Sequence, residues 1–377
     1  MTGHEEPGRA GHEEPGRTGR PAGRARPGHR SAGPTLRDVA AIAGVSYRTV
    51  SNVINGRVPV SGPTRERVEA AIAELGYRPQ LAARQLRVGR SNLITLSVPF
   101  LSLPYFAQLA HAVVGAAERV GYDVVVDETH GDPERELRAA SGFQTLLTDG
   151  ILLSPMSLDD AQLVAARGRT PLVVLGERIR AARVDRVVVD SVTSSRDAAA
   201  HLIASGRRTL GFLGTVPDAS VGAAAADLRL EGFRSALRAA GLEAKPQHVL
   251  EVSPWDPASP DGDYSREEGY ARVRAMLEGG GLDGLDGLVC ANDLLAIGAL
   301  RALREAGVEV PGQVAVVGWD DSPESAFAAP SLTSIAPDLT ELARLAVASV
   351  LRLADDPHAP PRVEQAPYRL VVRESAP

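Results

Sequence analysis

Between residues 35 and 90, apolar side chains recur every three or four positions, which predicts amphipathic helices. A residue with a capping hydroxyl group begins each predicted helix, and a glycine follows each one, as is usual at helix ends. The starts are Thr35 with Asp38, Ser46, and Ser61 with Pro63, and the ends are Gly44, Gly56 and Gly76. The predicted inward faces are Leu36, Val39, Ala40 and Ala43; Val50, Val53 and Ile54; and Val68, Ala71, Ile72 and Leu75. This segment is therefore predicted to be a small helical domain.

From residue 91 onward, short apolar runs alternate with longer amphipathic stretches. The strand-like runs are Leu93–Val98, Val124–Asp127, Gly150–Leu153, Leu172–Leu175, Val187–Val189, Leu210–Leu213, Leu288–Ala291 and Val314–Val317. The clearest helix-like stretches are Phe106–Val120, Leu228–Ala240, Asp293–Ala306 and Leu339–Ala354. Such alternation is typical of parallel sheets covered by helices. Since this part is long for one doubly wound sheet, the pattern predicts two similar α/β subdomains facing each other across a cleft.

The predicted fold class is thus α/β, with an all-α N-terminal headpiece before a two-lobed body of parallel sheets. Residues 1–34 contain a tandem octapeptide and almost no large apolar side chain, so they are predicted to be a disordered tail. The expected boundaries are 35–79 for the headpiece, 80–91 for a short linker helix, and 92–377 for the body. Within the body we expect subdomain 1 at about 92–190 and 337–362, and subdomain 2 at about 191–336 and 363–377.

Charge is distributed unevenly along the chain. The whole sequence of 377 residues carries −6, but residues 1–34 carry +2 and residues 35–90 carry +5, which leaves −13 on the body. A short basic segment ahead of a long acidic one indicates a polyanion-binding module joined to a domain of another kind. The overall charge by itself would have argued against nucleic acid.

Several classes of protein are disfavoured by the sequence. No run of 18 apolar residues predicts a membrane span, and the N-terminal segment lacks the apolar stretch of a secretory signal. The single Cys290 cannot form an internal disulfide, and the scattered histidines show no ligand spacing, so we expect a cytoplasmic protein without metal or cofactor.

Enzyme motifs are also missing from the sequence. Gly279, Gly281 and Gly284 match a dinucleotide-binding spacing, but they follow a predicted helix and precede a strand, the reverse of the order that such a site needs. Lys245 is preceded by Ala244 and does not complete a phosphate-binding loop. No nucleophile elbow is visible. The sequence therefore predicts that the protein is not an enzyme.

The first two predicted helices, joined at Gly44, have the spacing of a helix-turn-helix. The second would present Tyr47, Arg48, Asn52 and Asn55 outward, and these residue types can read base edges. Hydroxyl groups at its start can bind phosphates with help from the helix N-terminus. Periodicity alone leaves open a plain helical bundle with a solvated polar face.

The residues themselves favour DNA binding. The stretches Thr35–Gly56, Val60–Pro79 and Leu81–Leu86 closely resemble the headpiece of the LacI/GalR family of transcription regulators, almost without interruption. By that resemblance, Tyr47, Arg48 and Asn52 occupy the principal base-reading positions. The full predicted DNA-binding set is Thr35, Ser46, Tyr47, Arg48, Thr49, Ser51, Asn52, Asn55 and Leu86.

Residues Gln80–Arg87 look like the hinge helix of the family. The resemblance implies that two such helices of a dimer enter the minor groove, where a leucine at the position of Leu86 wedges between base pairs and bends the duplex. An eight-residue helix is marginal by itself in water, which suits a segment that folds only on DNA. The alternative is a linker helix whose Leu86 packs on the body.

The body resembles the family over roughly residues 92–373. The stretches that carry the likeness are Val98–Phe106, Asp149–Leu153, Ala291–Ala299, Val316–Asp321 and Pro330–Ser334. The resemblance implies a fold like that of periplasmic sugar-binding proteins, with the ligand in the cleft. Arg229 matches an arginine that bonds ligand hydroxyls, while Asn292 and Asp320 follow strands, where open α/β sheets bind ligands.

Further candidates complete the predicted effector site. Glu177 stands where the family often has an aspartate, and Tyr264 where sugar-binding members often have an aromatic side chain; Tyr105 and Phe106 are expected on the opposite wall. Paired donors and acceptors beside flat apolar faces suit a carbohydrate better than a planar base. For each acidic residue, a helix cap or a surface salt bridge is the alternative.

The predicted function is a transcription regulator, most simply a repressor of carbohydrate-utilisation genes. A homodimer would bind a near-palindromic double-stranded operator and leave it when a mono- or oligosaccharide binds, with no membrane partner. Tetramers of the family carry an extra C-terminal helix, and since Arg373–Pro377 forms no heptad, the resemblance implies a dimer rather than a tetramer. The alternatives are a corepressor-dependent regulator with a non-sugar effector, a ligand-binding module without a regulatory role, and an enzyme on the same scaffold.

Overall fold

The computed structural model describes residues 34–55, 58–77, 90–142, 148–180, 183–216, 223–253 and 264–377. Nearly all of the predicted tail, and the predicted hinge helix with Leu86, lie outside the described residues. The chain divides into two compact units, Met1–Gln80 and Leu81–Pro377.

The first unit contains three helices, as predicted: α1 (Leu36–Ala43), α2 (Tyr47–Asn55) and α3 (Gly62–Leu75). The side chain of Thr35 caps α1 in a reciprocal capping box with Asp38. The Oγ atom of Ser46 accepts a hydrogen bond from the backbone N–H of Thr49 at 3.1 Å and so caps α2. Gly44 and Gly76 end α1 and α3 in the left-handed conformation, with φ of 63° and 57°.

Side chains from all three helices form one small core. The predicted inward faces are confirmed, and Tyr77 joins them from just beyond α3. The buried members are Val39, Ala40, Ala43, Val50, Val53, Val68, Ala71 and Tyr77. Burying this common face holds three short helices that are too short to be stable separately in water.

The first lobe of the body is built on a parallel sheet with strand order β11-β5-β4-β3-β1-β2. Its strands are β1 (Leu93–Val98), β2 (Asp123–Glu128), β3 (Gly150–Leu153), β4 (Leu172–Leu175), β5 (Asp185–Val188) and β11 (Val363–Gln365). Its helices are α4 (Pro104–Glu118), α5 (Pro133–Ser141), α6 (Asp160–Ala166) and α11 (Leu339–Asp355).

The second lobe repeats the plan with strand order β12-β10-β9-β8-β6-β7, in which β12 runs antiparallel to β10 and the other pairs are parallel. Its strands are β6 (Leu210–Thr215), β7 (Val249–Glu251), β8 (Gly287–Cys290), β9 (Ala315–Trp319), β10 (Thr333–Pro337) and β12 (Tyr368–Val371). Its helices are α7 (Ser191–Ala204), α8 (Ala223–Ala239), α9 (Arg266–Gly280) and α10 (Asp293–Glu305). Short 3₁₀ turns lie at Pro246–His248 and Pro323–Ala326.

The predicted fold class, a helical headpiece before a two-lobed body of parallel sheets, is confirmed. The predicted strand-like runs all fall within observed strands or within one residue of them, but β7, β10, β11 and β12 were not predicted. Three of these lie at sheet edges, and the central β10 is interrupted by serine and proline, so none presents a continuous apolar run. Because β11 pairs with β5, the first sheet extends beyond the boundary expected at residue 362.

The chain passes between the lobes after β5, after β10 and after β11, so each lobe is assembled from distant segments. Within the second lobe, two glycines let helices cross with their backbones in contact. A Cβ on Gly298 of α10 would lie 2.0 Å from the carbonyl oxygen of Arg266, and one on Gly232 of α8 would lie 2.0 Å from that of Val192. Among the described helices, none is long and apolar enough to cross a membrane.

Candidate functional site

The polar face of α2 in the first unit is the candidate DNA-reading surface. Arg48 is exposed and Tyr47 is 36% exposed, while Val50 and Val53 on the opposite side are buried. Asn52 is half-buried on the same helix. Since α2 has no acidic residue, its polar face carries no negative charge of its own that would repel phosphates.

Several of the predicted DNA-binding hydroxyls also hold the headpiece together. The Oγ atoms of Ser46 and Thr49 lie 2.8 Å apart, and Ser46 caps α2. The hydroxyl of Thr35 donates to the carboxylate of Asp38 at 2.7 Å, which places a negative charge beside it. Ser51 is half-buried. The side chain of Asn55, like Leu86, lies outside the described residues.

The second candidate surface is a cavity of about 210 Å³ between the two lobes of the body. All of the predicted effector-binding residues line it, although they come from segments far apart in the sequence. They are Tyr105, Phe106, Glu177, Arg229, Tyr264, Asn292 and Asp320. The carboxyl ends of β4, β8 and β9 open into this cavity through Glu177, Asn292 and Asp320, in agreement with the position of ligand sites in open α/β sheets.

Arg229 projects from α8 and lies on the face of Trp319. Its guanidinium carbon is 3.5 Å from the centre of the ring, which is close cation–π contact. One guanidinium nitrogen donates to the carbonyl oxygen of Ala291, while the buried Nε has no hydrogen-bond partner among the described residues. The indole N–H of Trp319 donates to the Oγ of Ser194 at 3.1 Å, which fixes the ring.

Trp319 was missed by sequence reasoning. The signal available was its place at the end of a strand, directly before Asp320 and within a stretch that carries the family resemblance. What sequence could not show is that its ring supports the guanidinium of Arg229, a residue 90 positions earlier in the chain.

Asp320 follows β9 and has a φ of 117°, a backbone conformation that residues other than glycine rarely adopt. Its backbone N–H donates to the carbonyl oxygen of Ile335 at 2.9 Å. Burial raises the pKa of this carboxyl well above its usual value, and the nearby charge of Arg229 opposes that rise. A carboxyl group in this position can form a hydrogen bond with a ligand hydroxyl.

Asn292 is both a cavity residue and the N-cap of α10. Its Oδ1 accepts from the backbone N–H of Leu295 at 2.9 Å, and its Nδ2 donates to the carbonyl oxygen of Tyr264 at 3.1 Å. The hydroxyl of Tyr264 in turn donates to the carbonyl oxygen of Gly214 at 3.3 Å. The amide of Asn292 keeps one N–H and one lone pair for a ligand.

On the wall formed by the first lobe, Glu177 accepts a hydrogen bond from the backbone N–H of Ser191, at the start of α7, at 3.2 Å. Burial raises the pKa of the Glu177 carboxyl, and this hydrogen bond and Arg229 oppose the rise. The rings of Tyr105 and Phe106 meet edge to face, with centroids 5.1 Å apart. Burial, and then the charges of Asp320 and Glu177, raise the pKa of Tyr105, so its hydroxyl is a neutral donor.

Arg178 also lines the cavity and was not predicted. Its guanidinium donates to the carbonyl oxygens of Leu158 at 2.9 Å and Ser157 at 3.2 Å, so it holds a loop of the first lobe. Arg229 is therefore the arginine that combines a cavity position with a buried N–H lacking a partner in the described structure. Carboxylates, one such guanidinium and aromatic faces together suit a neutral ligand rich in hydroxyl groups.

In the part of the chain that the structure describes, no three His, Cys, Asp or Glu side chains are grouped so as to hold a metal ion. Cys290 is buried in β8, and burial raises the pKa of its thiol, as expected for a structural cysteine.

Comparison with known families assigns both units. Residues 35–80 match the model of bacterial regulatory proteins of the lacI family, and residues 199–376 match that of the periplasmic binding protein-like domain. A curated relative, the HTH-type transcriptional repressor PurR of Haemophilus influenzae (strain PittEE), is 33% identical over 315 residues, which cover 83% of this chain and 89% of that protein.

Solved structures agree with this assignment. The lac repressor dimer bound to operator and the anti-inducer ONPF is 29% identical, with a TM-score of 0.77 over 92% of this chain and 99% of that one. A complex of the transcriptional regulator CelR with cellobiose is 31% identical, with a TM-score of 0.65 over 91% of this chain and 99% of that one.

Proposed function

The chain belongs to the lacI family of bacterial regulatory proteins and is a DNA-binding transcription repressor, and on this premise we propose that a sugar bound in the cleft of the body releases it from its operator. We assign the headpiece to residues 35–79, the hinge to 80–91 and the sensing body to 92–377. The regulated genes would then be those that use the same sugar.

The observation that carries the sugar proposal is that Arg229 and Asp320 line the same cavity. The guanidinium has a buried N–H without a partner among the described residues, and the carboxyl group of Asp320, which feels its charge, can serve as an acceptor. One hydroxyl group can accept from the first and donate to the second, so adjacent hydroxyls on a ring match the pair. The aromatic rings of Tyr105, Phe106 and Tyr264 in the lining suit the apolar face of a pyranose. The cellobiose complex of CelR, a relative, supports the same class of ligand.

We assign base reading to Tyr47, Arg48 and Asn52 on the open face of α2. An exposed arginine can pair with guanine and an asparagine with adenine in the major groove. Ser46 and Thr49 at the start of the helix are the proposed phosphate contacts. A homodimer would place two such helices on a near-palindromic operator, because a two-fold protein matches a two-fold site. The lac repressor, a structural relative, is a dimer in its operator complex.

The two functions are coupled through the hinge in this proposal. A sugar changes the equilibrium between operator-binding and free states only to the extent that it binds one of them better, so the operator must weaken sugar binding by the same factor. Leu86, which we predict to enter the minor groove, lies outside the described residues. If hydrogen exchange found residues 80–87 equally protected with and without operator, the hypothesis that the hinge folds only on DNA would be wrong.

The test is a thermal-shift screen of the full chain against neutral mono- and oligosaccharides, with cellobiose included, followed by an operator gel shift with each sugar that raises the melting temperature. We expect at least one sugar to stabilise the protein and to weaken the operator complex. A sugar that instead tightens operator binding would be a corepressor. If no sugar but a nucleobase or an acidic metabolite stabilised the protein, the sugar proposal would be overturned.

A further inference from the structure

Asp293 is a buried carboxylate at the first position of α10, directly after Asn292. It lines the cavity, yet its oxygens are directed to other parts of the second lobe. Oδ2 accepts from the backbone N–H of Ser322 at 2.6 Å and from the hydroxyl of Ser325 at 2.7 Å. Oδ1 accepts from the hydroxyl of Ser334 at 2.6 Å. No cationic side chain of the described residues forms an ion pair with it.

The partners of Asp293 surround the turn that carries Asp320. Asp320 and Asp321 have φ of 117° and 50°, both in the region that favours glycine. The hydroxyl of Ser334, besides donating to Asp293, accepts from the backbone N–H of Asp321 at 3.1 Å. Directly after the turn, the backbone N–H of Ser322 donates to the carboxylate of Asp293. Two successive residues in this region are retained only when surrounding contacts enforce the conformation.

Packing around the carboxylate is tight. A Cβ built on Gly318 of β9 would lie 2.2 Å from Oδ1 of Asp293, so no larger residue fits beside it. The carboxylate thus occupies the space between the start of α10 and the end of β9. These two element ends carry Asn292 and Asp320, the two cavity residues of the second-lobe strand ends.

We propose that Asp293 is a positioning residue of the effector site: its carboxylate holds the strained turn so that Asp320 faces the cavity at a fixed distance from Asn292. This inference rests on the proposed function in one respect, that the cavity holds the effector. The geometric part, that Asp293 holds the turn, is independent of what binds there.

The titratable groups that interact with Asp293 are acidic. Asp320, Asp321 and the thiol of Cys290 interact with Asp293, and the guanidinium of Arg373 is paired with Asp321 at 2.7 Å. Burial raises the pKa of Asp293 to about 6, against the hydrogen bonds that lower it. A carboxyl whose folded pKa is raised makes the folded state less stable as pH rises through that value. Burial therefore opposes ionisation of Asp293, and its hydrogen bonds with Ser334, Ser325 and Ser322 favour it.

The first experiment uses the intrinsic fluorescence of Trp319 and needs no ligand. Trp255 and Trp319 are the two tryptophans, so W255F leaves the ring next to Asp320 as the sole reporter. In that background we expect Asp293→Ala to increase acrylamide quenching about two-fold, since release of the turn uncovers the buried ring. Glu136→Gln is the matched control. Glu136 is a buried carboxylate that accepts three backbone hydrogen bonds in the first lobe, so its change should leave the quenching as it was.

The second experiment is a double-mutant cycle on sugar affinity, measured by calorimetry with the neutral sugar that gives the largest thermal shift in the wild-type screen. Asp293→Ala should weaken binding about ten-fold in the wild type but much less in an Asp320→Asn background, because its effect passes through Asp320. Glu136→Gln should change the sugar affinity by the same factor in the wild type and in the Asp320→Asn background. Ser325→Ala, which removes one donor to Asp293, should weaken sugar binding less, again mainly when Asp320 is present. It replaces Asp293→Ala if that variant fails to fold.

Unchanged Trp319 quenching in a folded Asp293→Ala or Ser325→Ala protein would overturn the proposal, and so would equal losses of affinity in the two Asp320 backgrounds. Failure of every sugar to stabilise the wild type would contradict the proposed effector, while the quenching experiment would still decide whether Asp293 holds the turn.

Discussion

The guanidinium carbon of Arg229 lies over the indole of Trp319, 3.5 Å from the centre of the ring, in the wall of the cavity between the lobes. The stacking holds a cation in a buried position without an ion pair in the described residues, and its Nε–H has no hydrogen-bond partner there. This geometry makes Arg229 the side chain whose replacement tests the cleft most directly.

We predict that Arg229→Ala abolishes the response to sugar while operator affinity in the absence of sugar stays close to that of the wild type. Loss of a hydrogen bond from a charged group costs about 1.5–3 kcal/mol, or roughly 10- to 100-fold in affinity. Arg229→Lys, which keeps the charge but not the planar stacking, should recover little of the loss. Retained sugar-induced release in an operator gel shift would remove Arg229 from the site.

Arg48→Ala is expected to cost about 1–3 kcal/mol at one base pair and to relax the sequence preference there. The reason is that an exposed arginine on α2 can make a bidentate contact with guanine, whereas the rest of the interface is unchanged. Gel shifts on an operator and its single-base variants provide the measurement. A uniform loss on all variants, together with a reduced salt slope, would identify Arg48 as a phosphate contact instead.

Ser46→Ala should destabilise the headpiece by about 0.5–2 kcal/mol, because the Oγ of Ser46 caps α2 by accepting from the N–H of Thr49. Urea unfolding of the full chain, followed by a probe in the headpiece, measures this change. Ser46→Asn is the matched variant, since an asparagine oxygen can make the same cap. Equal losses for the two variants would show that the cap is not the source of the effect.

For Asp320→Asn we predict a more stable fold with weakened but measurable sugar affinity. Burial raises the folded pKa of Asp320, so the wild-type protein loses stability as pH rises above the usual carboxyl range. Asparagine removes that charge and tolerates a positive φ, and the gain at neutral pH should be about 0.5–2 kcal/mol. The gain should shrink as pH is lowered towards 4. A gain that is independent of pH in thermal melts would contradict this explanation.

A last prediction concerns the crossing of α9 and α10. Gly298→Ala should destabilise the body by about 1–3 kcal/mol or more, because its Cβ would lie 2.0 Å from the backbone oxygen of Arg266. Gly279→Ala in α9 is the control. It meets nothing within 4 Å and should stabilise the helix by about 0.5–1 kcal/mol. If the melting temperatures of the two variants changed in the same direction, the close approach of Gly298 to the backbone of Arg266 would be contradicted.

Much of the fold could be predicted because its signals are local. Thr35 and Ser46 start their helices by bonding to residues three positions on, and Gly44 and Gly76 end them by conformations that glycine adopts easily. Strands such as β3 and β4 are buried throughout and contain no polar side chain, so their runs stand out in the sequence.

The cavity residues were named from the sequence, and the structure brings them to one surface, but their roles there remain predictions. What sequence could not give is the double use of Asn292 as a helix cap and a cavity residue. Nor does any pattern in the chain indicate that Arg229 rests on Trp319, since that contact depends on how α8 packs against β9.

By itself, then, the sequence determined the helices and their caps, the central strands, and the split of charge between a basic headpiece and an acidic body. Tertiary structure alone decided the edge strands, the passage of β11 into the first sheet, and the bonding of Asp293 to Ser334, 41 residues away. The physical reason is that helix and strand periodicity is set by neighbours along the chain, whereas edge pairing and buried polar bonds form only between segments that the folded core has already brought together.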